Sequence, residues 1–171
     1  MAKIYHYFVE GECEEKFINE YKKNPHCLLT AGKVQLFNFI QNVFTKSRLM
    51  ALNKSTVIIL VYDTDVLNTD ILKLNLKLLN KYGFKNIIHI QSIKNFEDEI
   101  VYSTNIKNIN DVFGSQGNNE FKSKFIKCNN IYTKLESLDF NIDKMWSRKN
   151  TIEPFNKYFN PMAHNIIINK K

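Results

Sequence analysis

The sequence predicts an α/β protein: a four-stranded, mostly parallel sheet flanked by helices, followed by a helical C-terminal extension. Three observations carry this. Through the first hundred residues, short runs rich in β-branched and aromatic types alternate with stretches of helical spacing. Two of those runs, Ile4–Val9 and Val57–Tyr62, are apolar almost throughout, as strands covered on both faces must be. Each ends in acid, Glu10 after the first and Asp63 with Asp65 after the second.

The elements follow in order. Residues 3–10 read as a buried strand, and 14–23 as a helix stopped by Asn24-Pro25. Residues 28–36 form a weaker strand interrupted by Gly32. A helix over 37–46 would align Phe37, Ile40 and Phe44. Residues 56–62 are the clearest strand. Leu67, Ile71, Leu74 and Leu78 then recur at helical spacing, predicting a helix over 67–82 that Gly83 ends. Residues 86–91 read as the fourth strand and 95–103 as a short helix. Strands separated by helices imply parallel crossovers.

Beyond residue 105 the pattern changes. Gly114-Ser115-Gln116-Gly117-Asn118 is a loop, and helices are expected over 119–128, 130–138 and 151–159. Ile166–Ile168 adds a strand or docks on the core. Residues 1–104 are therefore read as the core, and 105–171 as a basic, mostly helical extension packed on it rather than an independent domain.

The net charge of +7 suits a polyanionic partner, nucleic acid being the commonest, although scattered lysine also serves solubility. Acids cluster in 10–20 and 97–99, whereas Lys122, Lys124, Lys127, Lys134, Lys144, Arg148 and Lys149 make the last third basic. The three cysteines are odd in number and far apart, which argues against a disulfide framework or a CxxC metal site. No signal peptide and no run of roughly 20 apolar residues is seen, so a reduced cytoplasmic setting is expected, with no membrane partner.

Carboxylates at the carboxyl ends of parallel strands open into the crevice where α/β sheets bind ligands. Brought together, Glu10, Asp63 and Asp65 repel one another unless protons or a cation neutralise them, which points to Mg²⁺ or Mn²⁺. In Val9-Glu10-Gly11-Glu12-Cys13-Glu14, Gly11 is expected to allow a sharp strand-to-helix turn, and Glu14 to face back toward Glu10. Glu12 and Glu15 are read as complements to the helix dipole. The alternative for Asp65 is the N-cap of a helix over 66–82.

Glu10-Gly11 at one strand end and Asp63-Thr64-Asp65 at a later one, roughly fifty residues on, resemble the two signature motifs of the Toprim fold. The run from Val9 to Glu14 is similar to the VEGxTE form of OLD-family and small RloB-like Toprim nucleases, many linked to phage defence. Cys13 stands where those commonly carry Thr. The resemblance covers residues 3–104. It implies a Toprim-like Rossmannoid core and a Mg²⁺- or Mn²⁺-dependent endonuclease acting on DNA or RNA as a phage-defence effector. Glu10, Asp63 and Asp65 would be metal ligands and catalytic, and Glu14 would complete a second metal site. Glu97 and Lys94 follow the fourth strand. The resemblance gives Glu97 a metal-binding role and Lys94 a catalytic one, while acids here equally suit a helix's first turn.

Lys33, Lys94, Arg148 and Lys149 are the expected nucleic-acid contacts. Trp146 could stack on a base or sit in the core. The four histidines lack metal-ligand spacing. No Walker-type loop occurs, so an ATPase or other defence-system subunit would be a separate chain, and a homo-oligomer stays open. Topoisomerase activity would need a nucleophilic Tyr on another domain. A haloacid-dehalogenase-type phosphatase would need its Asp-x-Asp after the first strand, where Glu10 stands. Two alternatives remain: a non-catalytic nucleic-acid-binding or regulatory module acting with a partner chain, and a small-nucleotide phosphotransfer enzyme.

Overall fold

Strand β3, Thr56–Asp63, runs through the middle of the molecule with Ile58 to Tyr62 entirely buried. The computed structural model describes residues 3–23, 25–149 and 151–169. On one side of β3 lies β1, Ile4–Val9, and beyond it β2, Lys33–Leu36. On the other lies β4, Ile87–Ser92, so the sheet order is β2-β1-β3-β4. All three pairings are parallel, with Val9 opposite both Leu36 and Val61, and Asp63 opposite Ser92. The three strand tips nearest the centre therefore end at one edge.

Side chains alternate across a strand, and here both faces are apolar. Tyr7, Val9, Ile59 and Val61 face a layer built from α1 (Glu12–Tyr21), α4 (Phe96–Ser103), α5 (Asn118–Lys127) and α6 (Ile131–Glu136). Phe17, Tyr21, Phe96, Phe121 and Phe125 are its largest buried side chains. Phe8, Ile58, Leu60 and Tyr62 face the second layer, formed by the loop 37–45, α2 (Lys46–Met50) and α3 (Asp70–Lys81). The segment after residue 104 thus completes the first layer, and Phe155 crosses to the second.

Several expected elements differ. No helix forms over 37–46. Its apolar residues are buried all the same, because a loop puts Phe39, Ile40 and Phe44 into the core. Asn75 of α3, fully buried, holds that loop: its Nδ2 donates to Phe39 O and Asn42 O, and its Oδ1 accepts from Phe44 N at 2.8 Å. No helix spans 151–159 either, where one 3₁₀ turn covers Asn156–Tyr158. The second strand is confined to residues 33–36. A Cβ at Gly32 would stand 2.7 Å from Tyr5 O, so glycine there permits a close backbone approach.

At the C-terminus, α7 (Ala163–Ile167) docks on the core, and Ile168 forms an isolated antiparallel bridge with Leu29. Helix α3 begins three residues later than its periodicity suggests and leaves Leu67 exposed. Its N-cap position is Thr69, which removes the reading of Asp65 as a helix cap. Among the described residues no helix is long and apolar enough to cross a membrane.

Candidate functional site

The edge where β1 and β3 end opens into a cleft of about 350 Å³. Glu10, Glu14, Asp63, Asp65 and Glu97, the five acids expected from sequence, all line it, with Cys13, Gln41 and Lys122. Glu10 follows the last residue of β1, and its carboxylate is held on both sides. Oε1 accepts from Asn38 Nδ2 at 2.9 Å, and Oε2 accepts from the Asp63 peptide N–H at 3.2 Å. That second bond ties the tip of β1 to the tip of β3.

Glu14 lies in the first turn of α1 and is buried. Gly11 has an extended backbone that any residue adopts, so a special turn is not why glycine stands there. A Cβ would come within 2.7 Å of Glu14 Oε2. Glycine leaves the room into which the carboxylate folds back.

Asp63 ends β3, and its Oδ1 is buried without a hydrogen-bond partner. Asp65 reaches the same cleft but is exposed. Between them Thr64, buried, locks the turn. Its N–H donates to Lys94 O at 2.9 Å, its hydroxyl donates to Ser92 O at 2.9 Å, and Lys94 N donates back to Thr64 Oγ1 at 3.2 Å.

The electrostatics follow from this crowding. Burial pushes the Asp63 carboxyl up to about 9, with Glu14 and Glu10 adding to the rise. Burial likewise raises Glu14 to about 7, with Glu10 and Glu97 contributing. Glu10 is raised by burial and by Asp65, against the two hydrogen bonds that favour its charge. The cleft therefore holds protons at neutral pH. Cys13 is pushed up to about 12 by burial and then by Glu14 and Glu97, so its thiol stays neutral and is not an activated nucleophile.

Lys122 of α5 was not singled out by sequence, yet its Nζ sits 3.2 Å from Glu97 Oε1 inside the acid cleft. Burial would lower its pKa, but the neighbouring groups together, Glu97 foremost and Glu14 among them, outweigh that and raise it. No motif marks this residue. Phe121 and Phe125 pack into the core, and Lys122, next along the helix, is turned toward the cleft.

The remaining expected residues lie elsewhere. Lys94 has a left-handed backbone (φ 66°) and serves the site through its peptide, while its exposed ammonium is 3.9 Å from Asp98. Lys33 pairs with His6, roughly 10 Å back along the strand from the tips at about 3.3 Å per residue, and lines a different pocket. Arg148 is committed internally: Nη2 donates to Glu99 Oε1 at 2.6 Å, and the guanidinium lies over the Tyr102 ring. Glu99, fully buried, also accepts from Ile93 N and Trp146 N, so it ties the β4–α4 turn to the extension. Lys149 is exposed at a separate surface pocket with Lys157 and Phe159. Trp146 is buried edge-on to Phe17, which excludes base stacking. His6 and His89 are satisfied core residues, partnered by Gln35 and by the Tyr62 hydroxyl.

Among the described residues, no group of three or more His, Cys, Asp or Glu side chains is arranged to hold a metal ion. The acids surround a cleft rather than forming a finished cage. The donor set still fits a hard cation. It is oxygen apart from the neutral Cys13, and Mg²⁺ binds through one or two carboxylates while keeping several waters. The unpartnered Asp63 Oδ1 is an acceptor that a cation or its water would satisfy. No family model, curated protein or solved structure matches this chain.

Proposed function

We propose that the chain is a Toprim-type, Mg²⁺- or Mn²⁺-dependent nuclease that hydrolyses phosphodiester bonds of DNA or RNA. One observation carries the reading: five carboxylates, borne on two strand tips and two helices, converge on one cleft, with Glu14 and Asp63 among them buried enough to retain protons. Stability alone does not favour such a cluster, since replacing protons with a cation is what makes it useful. The order of the motifs, strand-end Glu-Gly then strand-end Asp-x-Asp, and the four-stranded parallel sheet both support the Toprim assignment. Phage defence is the setting that the resemblance implies.

Asp63, Asp65 and Glu10 would hold the cation, with Glu14 beside them. When bound, it would supply positive charge to the phosphate and lower the pKa of an attacking water. The chain's own groups do the rest. Glu10, fixed by Asn38 and the Asp63 peptide, is positioned to take a proton from water. Lys122, steadied by Glu97, faces the cleft as the cation for a phosphate oxygen, the role expected of Lys94. Water adds to phosphorus, the bridging P–O bond breaks, and the leaving oxygen takes up a proton.

The test is incubation of the purified protein with labelled DNA and RNA panels under Mg²⁺, Mn²⁺ or EDTA. Asp65→Asn is the cleanest variant, since Asp65 is exposed, and Glu10→Gln removes the proposed base. Metal-dependent cleavage lost in both is the expected result. A second reading, a binding or regulatory module without cleavage, is favoured by the absence of a ready-made metal group among the described residues. It predicts salt-sensitive binding with no cleavage under any metal.

A further inference from the structure

Glu97 is a shared wall. On its far side lies a second pocket of about 250 Å³, between α4, the 3₁₀ turn at Ile109–Val112 and the start of α5. Its lining is rich in amides, with Asn95, Asn108, Asn110 and Asn118 beside Asp98 and Lys107. Val101 and Ile109 add apolar surface.

Counting donors and acceptors shows what is left over. Asn95 Oδ1 and Asn108 Oδ1 each accept a backbone N–H at 2.9 Å, from Asp98 and Asn110 respectively. Their Nδ2 groups remain as donors. Asn110 Oδ1 is too deeply buried to meet a ligand, whereas the part-exposed Asp98 carboxylate has two acceptor oxygens and only a 3.9 Å pairing with Lys94. The pocket thus offers amide and ammonium donors together with acceptors that lack them.

We propose that this pocket binds an unstacked guanine base of a single-stranded nucleic acid whose phosphodiester lies in the adjoining acid cleft. The inference rests on the nuclease reading and names what selects its substrate. A base presents hydrogen-bonding edges and apolar faces, which amides beside Val101 and Ile109 suit, and bases are read this way in single strands. Guanine carries two donor groups, N1–H and N2–H₂, next to the O6 acceptor. Those donors meet the two oxygens of the Asp98 carboxylate, while O6 meets the amide nitrogens or Lys107. Adenine, cytosine and uracil each offer one donor group on that edge and leave an acceptor unmet.

The experiment measures binding of labelled uridine and deoxythymidine octamers, each with one central guanine, adenine or cytosine, by fluorescence anisotropy in EDTA. Wild-type protein is compared with Asp98→Asn and Lys107→Gln, both outside the metal cleft. The guanine octamer is expected to bind about tenfold tighter than the rest, as one well-read base allows. The preference should fall to about twofold or less in Asp98→Asn, with similar affinity for the octamers lacking guanine. Equal binding of all octamers, a preference unchanged in both variants, or no binding at all overturns the proposal. Guanine preference without cleavage under any metal would retain this pocket and overturn the nuclease. Metal-dependent cleavage without base preference would do the reverse.

Discussion

Replacing Asp63 with Asn should stabilise the protein, and by an amount that depends on pH. The Asp63 carboxyl rises from an ordinary 3.8 to about 9, chiefly through burial, then through Glu14 and Glu10. Below pH 4 both folded and unfolded chains carry the proton, and nothing is lost. As pH climbs toward 9 the unfolded chain releases its proton while the folded chain retains it, so stability falls with pH. Between 3.8 and pH 7 lie about three units at about 1.4 kcal/mol each, which bounds the loss at about 4 kcal/mol. Glu14 shares the same protons, so roughly 2–4 kcal/mol belongs to Asp63. Asn keeps the shape and removes the charge. In EDTA, thermal unfolding at pH 7–8 should show a Tm higher by roughly 5–15 °C in the variant, at about 2–4 °C per kcal/mol for a chain of this size. Near pH 4 the two proteins should unfold together. Parallel Tm curves across the whole range, or a less stable variant at pH 8, would refute the account of Asp63 as a strained buried acid.

Two further predictions concern the frame around the cleft. Gly11→Ala should change stability by about 1 kcal/mol or less, because the Cβ meets only the flexible end of Glu14. It should nonetheless displace that carboxylate and weaken any Mg²⁺-induced rise in Tm, and an unchanged rise would remove Glu14 from the metal's surroundings. Arg148→Leu strands the fully buried Glu99 and should cost about 3 kcal/mol or more, read from urea unfolding; a loss under 1 kcal/mol would mean that Glu99 is adequately held by the peptide N–H groups of Ile93 and Trp146.

Strands β1 and β3 were legible in sequence because a strand buried on both faces leaves little choice of residue, and both are apolar almost throughout, whereas the edge strand β2, with no fully buried residue, was read too long. Glu10, Asp63 and Asp65 were legible for the same reason, as acids that end such runs mark the sheet's open edge. The loop 37–45 was not. Its phenylalanines sit at helical spacing, but the hydrogen bonds that hold it come from Asn75, some thirty residues away. Periodicity reports which residues are buried and is silent on which backbone buries them.

Among the basic residues, charge alone could not separate Lys122, which enters the cleft, from Arg148, which is held by Glu99. The central strands and the acids at their tips can be read from local pattern, since hydrophobic burial is periodic along a strand. Which cation faces those acids, and what lies behind Glu97, follows from packing between distant segments. Those contacts join α4 to a helix packed from the extension, and no local pattern encodes a distance between them.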